Sequence, residues 1–208
     1  MGQPKIPQLK MKPKKINIQH LLLLAGMLFC LACTEEQTQA VKETIPQVAK
    51  SPFKFYKDLE VRPGLNFEVL SWGKGVDSIG AYQILMSDSS RKSYKSNAVA
   101  RNGVIGDAWN MDLDNDGNPE IYVQLETNSM LDLNVFEYVG NGFNKINFPS
   151  LSPQQKKLFK GNDRFYLKNG DLFRSFNAQE KADSTKQTTK VYQYKLAGNS
   201  FSSSEVEK

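Results

Sequence analysis

Asp112, Asp114 and Asp116 stand at alternate positions, Gly117 follows at once, and Glu120 closes the pattern before an alternating apolar run that begins at Ile121. Carboxylates at that spacing converge on one point when the backbone curls, and a glycine free to take positive φ tightens the curl. Such an oxygen-rich loop suits a hard cation, calcium above all. The ligand set it predicts is Asp112, Asp114, Asp116, the backbone carbonyl of Asn118, and Glu120. The plain alternative is a calcium-free turn, since Asp and Asn side chains close loops by accepting from nearby backbone N–H groups. Charge weighs against it: convergent carboxylates repel one another, and no Lys or Arg lies near them in sequence.

The spacing matches the first half of an EF-hand loop and fails in the second half. Position twelve, which needs a bidentate Glu, is Val123, and strand patterns rather than helices flank the loop. With Glu120 at position nine it resembles the shorter calcium loops of integrin-type propeller blades. A propeller would need several copies, and the sequence holds one, with no other internal repeat. Calcium here is expected to pin a hairpin rather than to perform chemistry.

The elements that must hold this loop read as strands. Runs rich in aromatic and β-branched residues cover Leu65–Trp72, 80–86, Val104–Met111, 120–125, 132–139, Arg164–Lys168, 171–176 and 190–196, with a further candidate at 201–206. Asn102-Gly103, Asn141-Gly142, Asn169-Gly170 and Gly198-Asn199 suit tight reversals. Ile121, Val123 and Leu125 alternate with Glu120, Tyr122 and Gln124, which predicts one buried and one wet face. Residues 132–139 are apolar on both faces and predict a central strand. Ser152, Pro153 and Gln155 form a capping box at the start of a helix that Gly161 ends, with Leu158 and Phe159 turned to the sheet. Residues 177–189 are polar and read as a long exposed loop. The fold class expected is mainly β: a compact antiparallel sandwich or partly open barrel of about eight strands with one short helix.

The N-terminal part reads as a targeting segment. Residues 1–20 carry five lysines and no acid, and an apolar run of twelve from Leu21 to Ala32 follows. That run falls short of the roughly 20 residues a membrane-spanning helix needs, so 1–32 reads as a signal peptide, with Met11 a candidate start. Cys30-Leu31-Ala32-Cys33 resembles the lipobox of bacterial lipoproteins, which would make Cys33 the acylated N-terminus and anchor the chain to a membrane. The plain alternative is an ordinary signal peptide with a chance cysteine. Residues 34–52 then form a tether able to reach at most about 60 Å, and 53–208 a single domain.

Processing reshapes the chemistry on offer. The formal charge of +5 comes from 27 basic and 22 acidic residues, and five of those lysines lie in the leader, leaving 22 against 22. A balanced domain gives no argument for nucleic acid. His20, the single histidine, would be lost as well, and Cys33 would be the one cysteine kept. This excludes histidine-dependent nucleophiles, His- or Cys-ligated zinc, and an intrachain disulfide. Two carboxylates could still run glycoside hydrolysis, but the best acidic cluster is the metal-like loop, so the chain is not expected to be an enzyme.

The stretch from Val104 to Val123, with its core Asp116-Gly117-Asn118-Pro119-Glu120-Ile121-Tyr122-Val123, resembles the centre of the PliI-like family, bacterial inhibitors of invertebrate-type lysozyme. Phe67-Glu68-Val69, Phe148-Pro149-Ser150-Leu151-Ser152, 160–165, 172–176 and 194–196 come in matching order, so the similarity spans about 65–206. The resemblance implies an antiparallel β domain in the envelope that inserts a loop into a lysozyme cleft. In the family that loop carries Ser-Gly-x-x-Tyr. Here the corresponding stretch retains Ser129 but has Met130 in place of the glycine, with Leu131 next and no tyrosine. Two functions are expected on this basis. One is a lipid-anchored inhibitor-like protein that engages a protein partner through Asn128, Ser129, Met130 and Leu131. The other is a calcium-stabilised structural or adhesive envelope module with no lysozyme target.

Overall fold

Short alternating runs separated by two-residue turns favour hairpins over crossovers, and among the described residues every strand ladder joins strands that are consecutive in sequence. The computed structural model describes residues 52–72, 79–180 and 186–206; the leader of 1–32, Cys33 and nearly all of the 34–52 tether lie outside them. The first sheet is the meander β1 (Phe55–Arg62), β2 (Leu65–Trp72), β3 (Ile79–Asp88) and β4 (Ser93–Asn102). The second is β5 (Val104–Met111), β6 (Glu120–Thr127), β7 (Met130–Val139) and β8 (Gly142–Ile146). The third is β9 (Arg164–Lys168), β10 (Asp171–Gln179), β11 (Gln187–Ala197) and β12 (Ser200–Glu205). All pairings within them are antiparallel.

The second sheet is the middle layer. Its residues Ile105, Ala108, Ile121, Val123, Leu125 and Phe136 join one buried cluster with Phe67, Val69, Tyr82 and Ile84 of the first sheet. Tyr122, Leu133, Val135 and Ile146, on its opposite face, join a second cluster with Phe165, Leu172, Tyr194 and Leu196 of the third. The sandwich expected from the sequence is therefore present, with a third layer added, and no sheet closes into a barrel. The doubly apolar pattern of 132–139 marks a central strand as expected. The wet face expected for β6 is a misreading: Glu120 and Tyr122 are both fully buried, because the third sheet covers that face.

Among the described residues, twelve strands replace the expected eight or so. Two of the additions, β1 and β4, are the edge strands of the first sheet. Their sequences, FYKDLEVR and SYKSNAVARN, are polar because an edge strand keeps one side in water and resists unwanted pairing. Asn102-Gly103 is not a reversal within a sheet but the joint between β4 and β5. Gly103 takes φ +133°, and a Cβ there would stand 2.9 Å from the Glu126 carbonyl oxygen. Asn169 and Gly170, at φ +54° and +85°, form the expected reversal. Residues 177–189 are not one loop, since β10 runs on to Gln179 and β11 starts at Gln187; residues 181–185 lie outside the described ones.

One six-residue helix, α1 (Pro153–Leu158), carries the predicted box: Gln155 N–H donates to Ser152 Oγ at 3.2 Å, and Ser152 N–H donates to Gln155 Oε1 at 2.7 Å. Leu158 and Phe159 pack with Leu151, Phe176 and Ala178, covering part of β10. Among the described residues, no helix is long and apolar enough to cross a membrane.

Candidate functional site

The acidic loop joins β5 to β6, so two adjacent strands of the middle sheet fix its ends. Asn115 and Gly117 take φ +60° and +87°, which supplies the curl. Asp112 accepts the N–H groups of Asp116 and Gly117, one on each oxygen and both at 3.0 Å. Asp116 accepts from the backbone and side-chain amides of Asn118 at 2.8 and 2.9 Å, which holds Asn118 in the tight part of the curl. Glu120 Oε2 accepts from Leu113 N–H at 2.8 Å and from the Tyr122 hydroxyl at 3.3 Å.

One oxygen from each of Asp112, Asp114, Asp116 and Glu120 lies within 4.8 Å of every other. Calcium sits 2.3–2.6 Å from its oxygens, so ligands around one ion stand up to about 4.6–5.2 Å apart. Among the described residues none of the four carboxylates has a cationic partner. Asp114 Oδ1 and Glu120 Oε1 are buried with no hydrogen-bond donor. Burial, with the nearby Asp114 and Asp112 charges adding to it, pushes the Glu120 carboxyl up to about 7. A cluster with these properties could hold a metal ion, and its all-oxygen donors suit a hard one.

Two further groups escaped sequence reading. Glu137 on β7 stands opposite Glu120 in register and is buried; burial first, then the Asp116 and Asp114 charges, raises its pKa. Only the strand pairing brings it there. Gly198, in the β11–β12 turn, donates its N–H to Asp114 Oδ2 at 3.2 Å, which ties the loop to the third sheet.

The expected partner-binding segment is compact. Asn128 and Ser129 alone form the turn between β6 and β7, at φ +51° and +62°, and both are exposed. Met130 and Leu131 are not at the tip: they begin β7 and are half-buried, Leu131 packing with the second core cluster. Behind them lies a buried ion pair. Arg174 Nε and one terminal nitrogen donate to the two Asp163 oxygens at 2.9 and 2.7 Å, with both side chains 1% exposed. The same pair grips Leu131, whose N–H donates to Asp163 at 2.8 Å and whose carbonyl accepts from Arg174 at 2.7 Å. The acidic loop and this tip lie at opposite ends of β6, so they are separate features. No protein-family model and no curated protein matches the chain.

Proposed function

We propose that the protein is a non-enzymatic envelope module, lipid-anchored at Cys33, whose β domain is stapled by calcium at Asp112, Asp114, Asp116, Glu120 and the Asn118 carbonyl. The observation that carries this reading is the pair of buried oxygens, Asp114 Oδ1 and Glu120 Oε1, that no donor satisfies. A buried carboxylate oxygen left without a donor costs several kcal/mol or takes up a proton, whereas a cation among four of them offsets that cost. The ion's role is mechanical, since it would join the β5–β6 loop to the β11–β12 turn through Asp114. Thermal unfolding of the full chain in calcium and in chelator tests it. Saturating calcium, at about 100 times its dissociation constant, should add about 2.7 kcal/mol. Asp114→Ala and Glu120→Gln should each remove that gain. A wild-type midpoint indifferent to calcium and chelator would reduce the loop to a turn.

A second reading draws on the anchored tip. Here the module binds a protein, an invertebrate-type lysozyme on the family resemblance, through Asn128 and Ser129 with Met130 and Leu131 as their base. The grip of Arg174 and Asp163 on Leu131 favours it, because a contact loop held rigid before binding loses less entropy on docking. A turbidity assay with cell walls and purified lysozymes of that type should register inhibition that Asn128→Ala weakens. Absence of protection by the wild-type chain would remove the lysozyme as partner and leave the calcium reading standing.

A further inference from the structure

At the open side of the sandwich, β5 and β9 are both sheet edges, and a cleft of about 240 Å³ lies between them, lined by Asp107, Trp109, Gln124, Phe165, Tyr166 and Leu167. Its aromatic wall is rigid. The Trp109 ring stacks on Tyr122 with centroids 5.4 Å apart and planes within 2°, and Phe165 of β9 packs in the same buried cluster from the third sheet. The polar groups sit beside Trp109 on the middle sheet. Asp107 and Gln124 are register partners on β5 and β6. Asp107 uses Oδ1 for both the Lys57 ammonium, at 3.1 Å, and the Ala108 N–H, at 2.8 Å, and Oδ2 is left for a ligand. Gly106 leaves room for the Gln124 amide, whose nitrogen would be 3.1 Å from a Cβ at that position. Trp109 Nε1 is a buried donor with no acceptor.

We propose that this cleft is a saccharide-binding subsite that takes one pyranose unit of a glycan. A pyranose has an apolar C–H face and a rim of hydroxyls. The aromatic wall matches the first; a carboxylate acceptor beside a carboxamide, which both donates and accepts, matches neighbouring hydroxyls. The volume falls just below the roughly 300–1,000 Å³ of sites for drug-sized ligands, which suits a single ring. An extended peptide adding to the β5 edge would need a regular ladder. The register of β5 on β6 shifts between Ile105 and Asp107, within this cleft, and such a bulge breaks the pattern that strand addition uses.

The chain has two tryptophans, so Trp72→Phe leaves Trp109 as the one fluorescent indole. Titrating that full-length variant with the methyl glycosides of glucose, galactose and N-acetylglucosamine should give a saturable change with at least one of them. Gln124→Ala and Asp107→Ala should each weaken the midpoint about tenfold, the usual effect of losing one hydrogen bond, with the far-ultraviolet dichroism of the parent retained. Shifts of the Trp109 indole N–H and Gln124 side-chain amide resonances in the wild-type chain read the same event without substitution. The proposal is overturned by the absence of a saturable response to every glycoside, by a midpoint unmoved in both variants, or by a response to an extended peptide alone.

Discussion

Glu120 has no exposed surface and a carboxyl pushed up to about 7, well above the ordinary 4.5. The folded state therefore holds a proton between about 4.5 and 7 that the unfolded chain has released, so without metal, stability falls as pH rises through that window. The loss is on the order of 3 kcal/mol for a group this buried. Calcium should reverse the slope, because the ion binds the ionised form and competes with the proton. Denaturant unfolding of the chelated and calcium-loaded protein across pH 5 to 8 measures both slopes. Glu120→Gln should flatten the chelated profile. Asp112, Asp114, Asp116 and the positive φ of Gly117 were legible because a ligand loop is local and its spacing is its geometry. Glu137 and Gly198 were not, since strand register delivers one and a turn 84 residues on from Asp114 delivers the other.

The β6–β7 hairpin poses its question at the scale of one element. Ser129 holds φ +62°, a conformation a side chain resists and glycine accepts, so Ser129→Gly should stabilise the hairpin by up to about 1 kcal/mol. In a domain of this size that is a rise of about 2–4 °C in the melting midpoint. The Arg174–Asp163 pair behind the turn is more demanding. Deleting one partner strands a buried charge, and Asp163→Ala should cost about 3–5 kcal/mol. Arg174→Met with Asp163→Leu removes the stranded charge but also leaves the Leu131 N–H and carbonyl without their partners, so it should recover only part of the loss, and chemical denaturation of the single and double variants measures that part. The capping box of α1 was readable because it is written in four adjacent residues. The edge strands β1 and β4 were not, since an edge is polar like a loop and differs from one only in having a neighbour. That Leu131 is held within β7 was not legible for a related reason: Asp163 and Arg174, which bond its N–H and carbonyl, lie far along the chain.

For the whole molecule, the middle sheet decides stability because both of its faces are core. Ile121 and Leu133 point to opposite sides of it, so Ile121→Ala and Leu133→Ala should each cost about 2–5 kcal/mol and leave one cooperative transition. A melt that splits into two steps in either variant would mean that the layers unfold separately. Mainly-β character was legible from period-two patterning, but layer count was not, since alternation reports that a face is buried and not what buries it. The bond from Gly198 to Asp114 bears on the order of events in folding. Each sheet is a run of consecutive hairpins, so the chain can build them in the order it is made, and the acidic loop can curl once β5 and β6 have paired. Its clasp must wait for the β11–β12 hairpin to dock. An ion seated there should leave the refolding rate nearly unchanged and slow unfolding, because the contact forms after the barrier. Stopped-flow unfolding with and without calcium checks this, and the expectation is a latch that keeps the β11–β12 hairpin from being the first to fray.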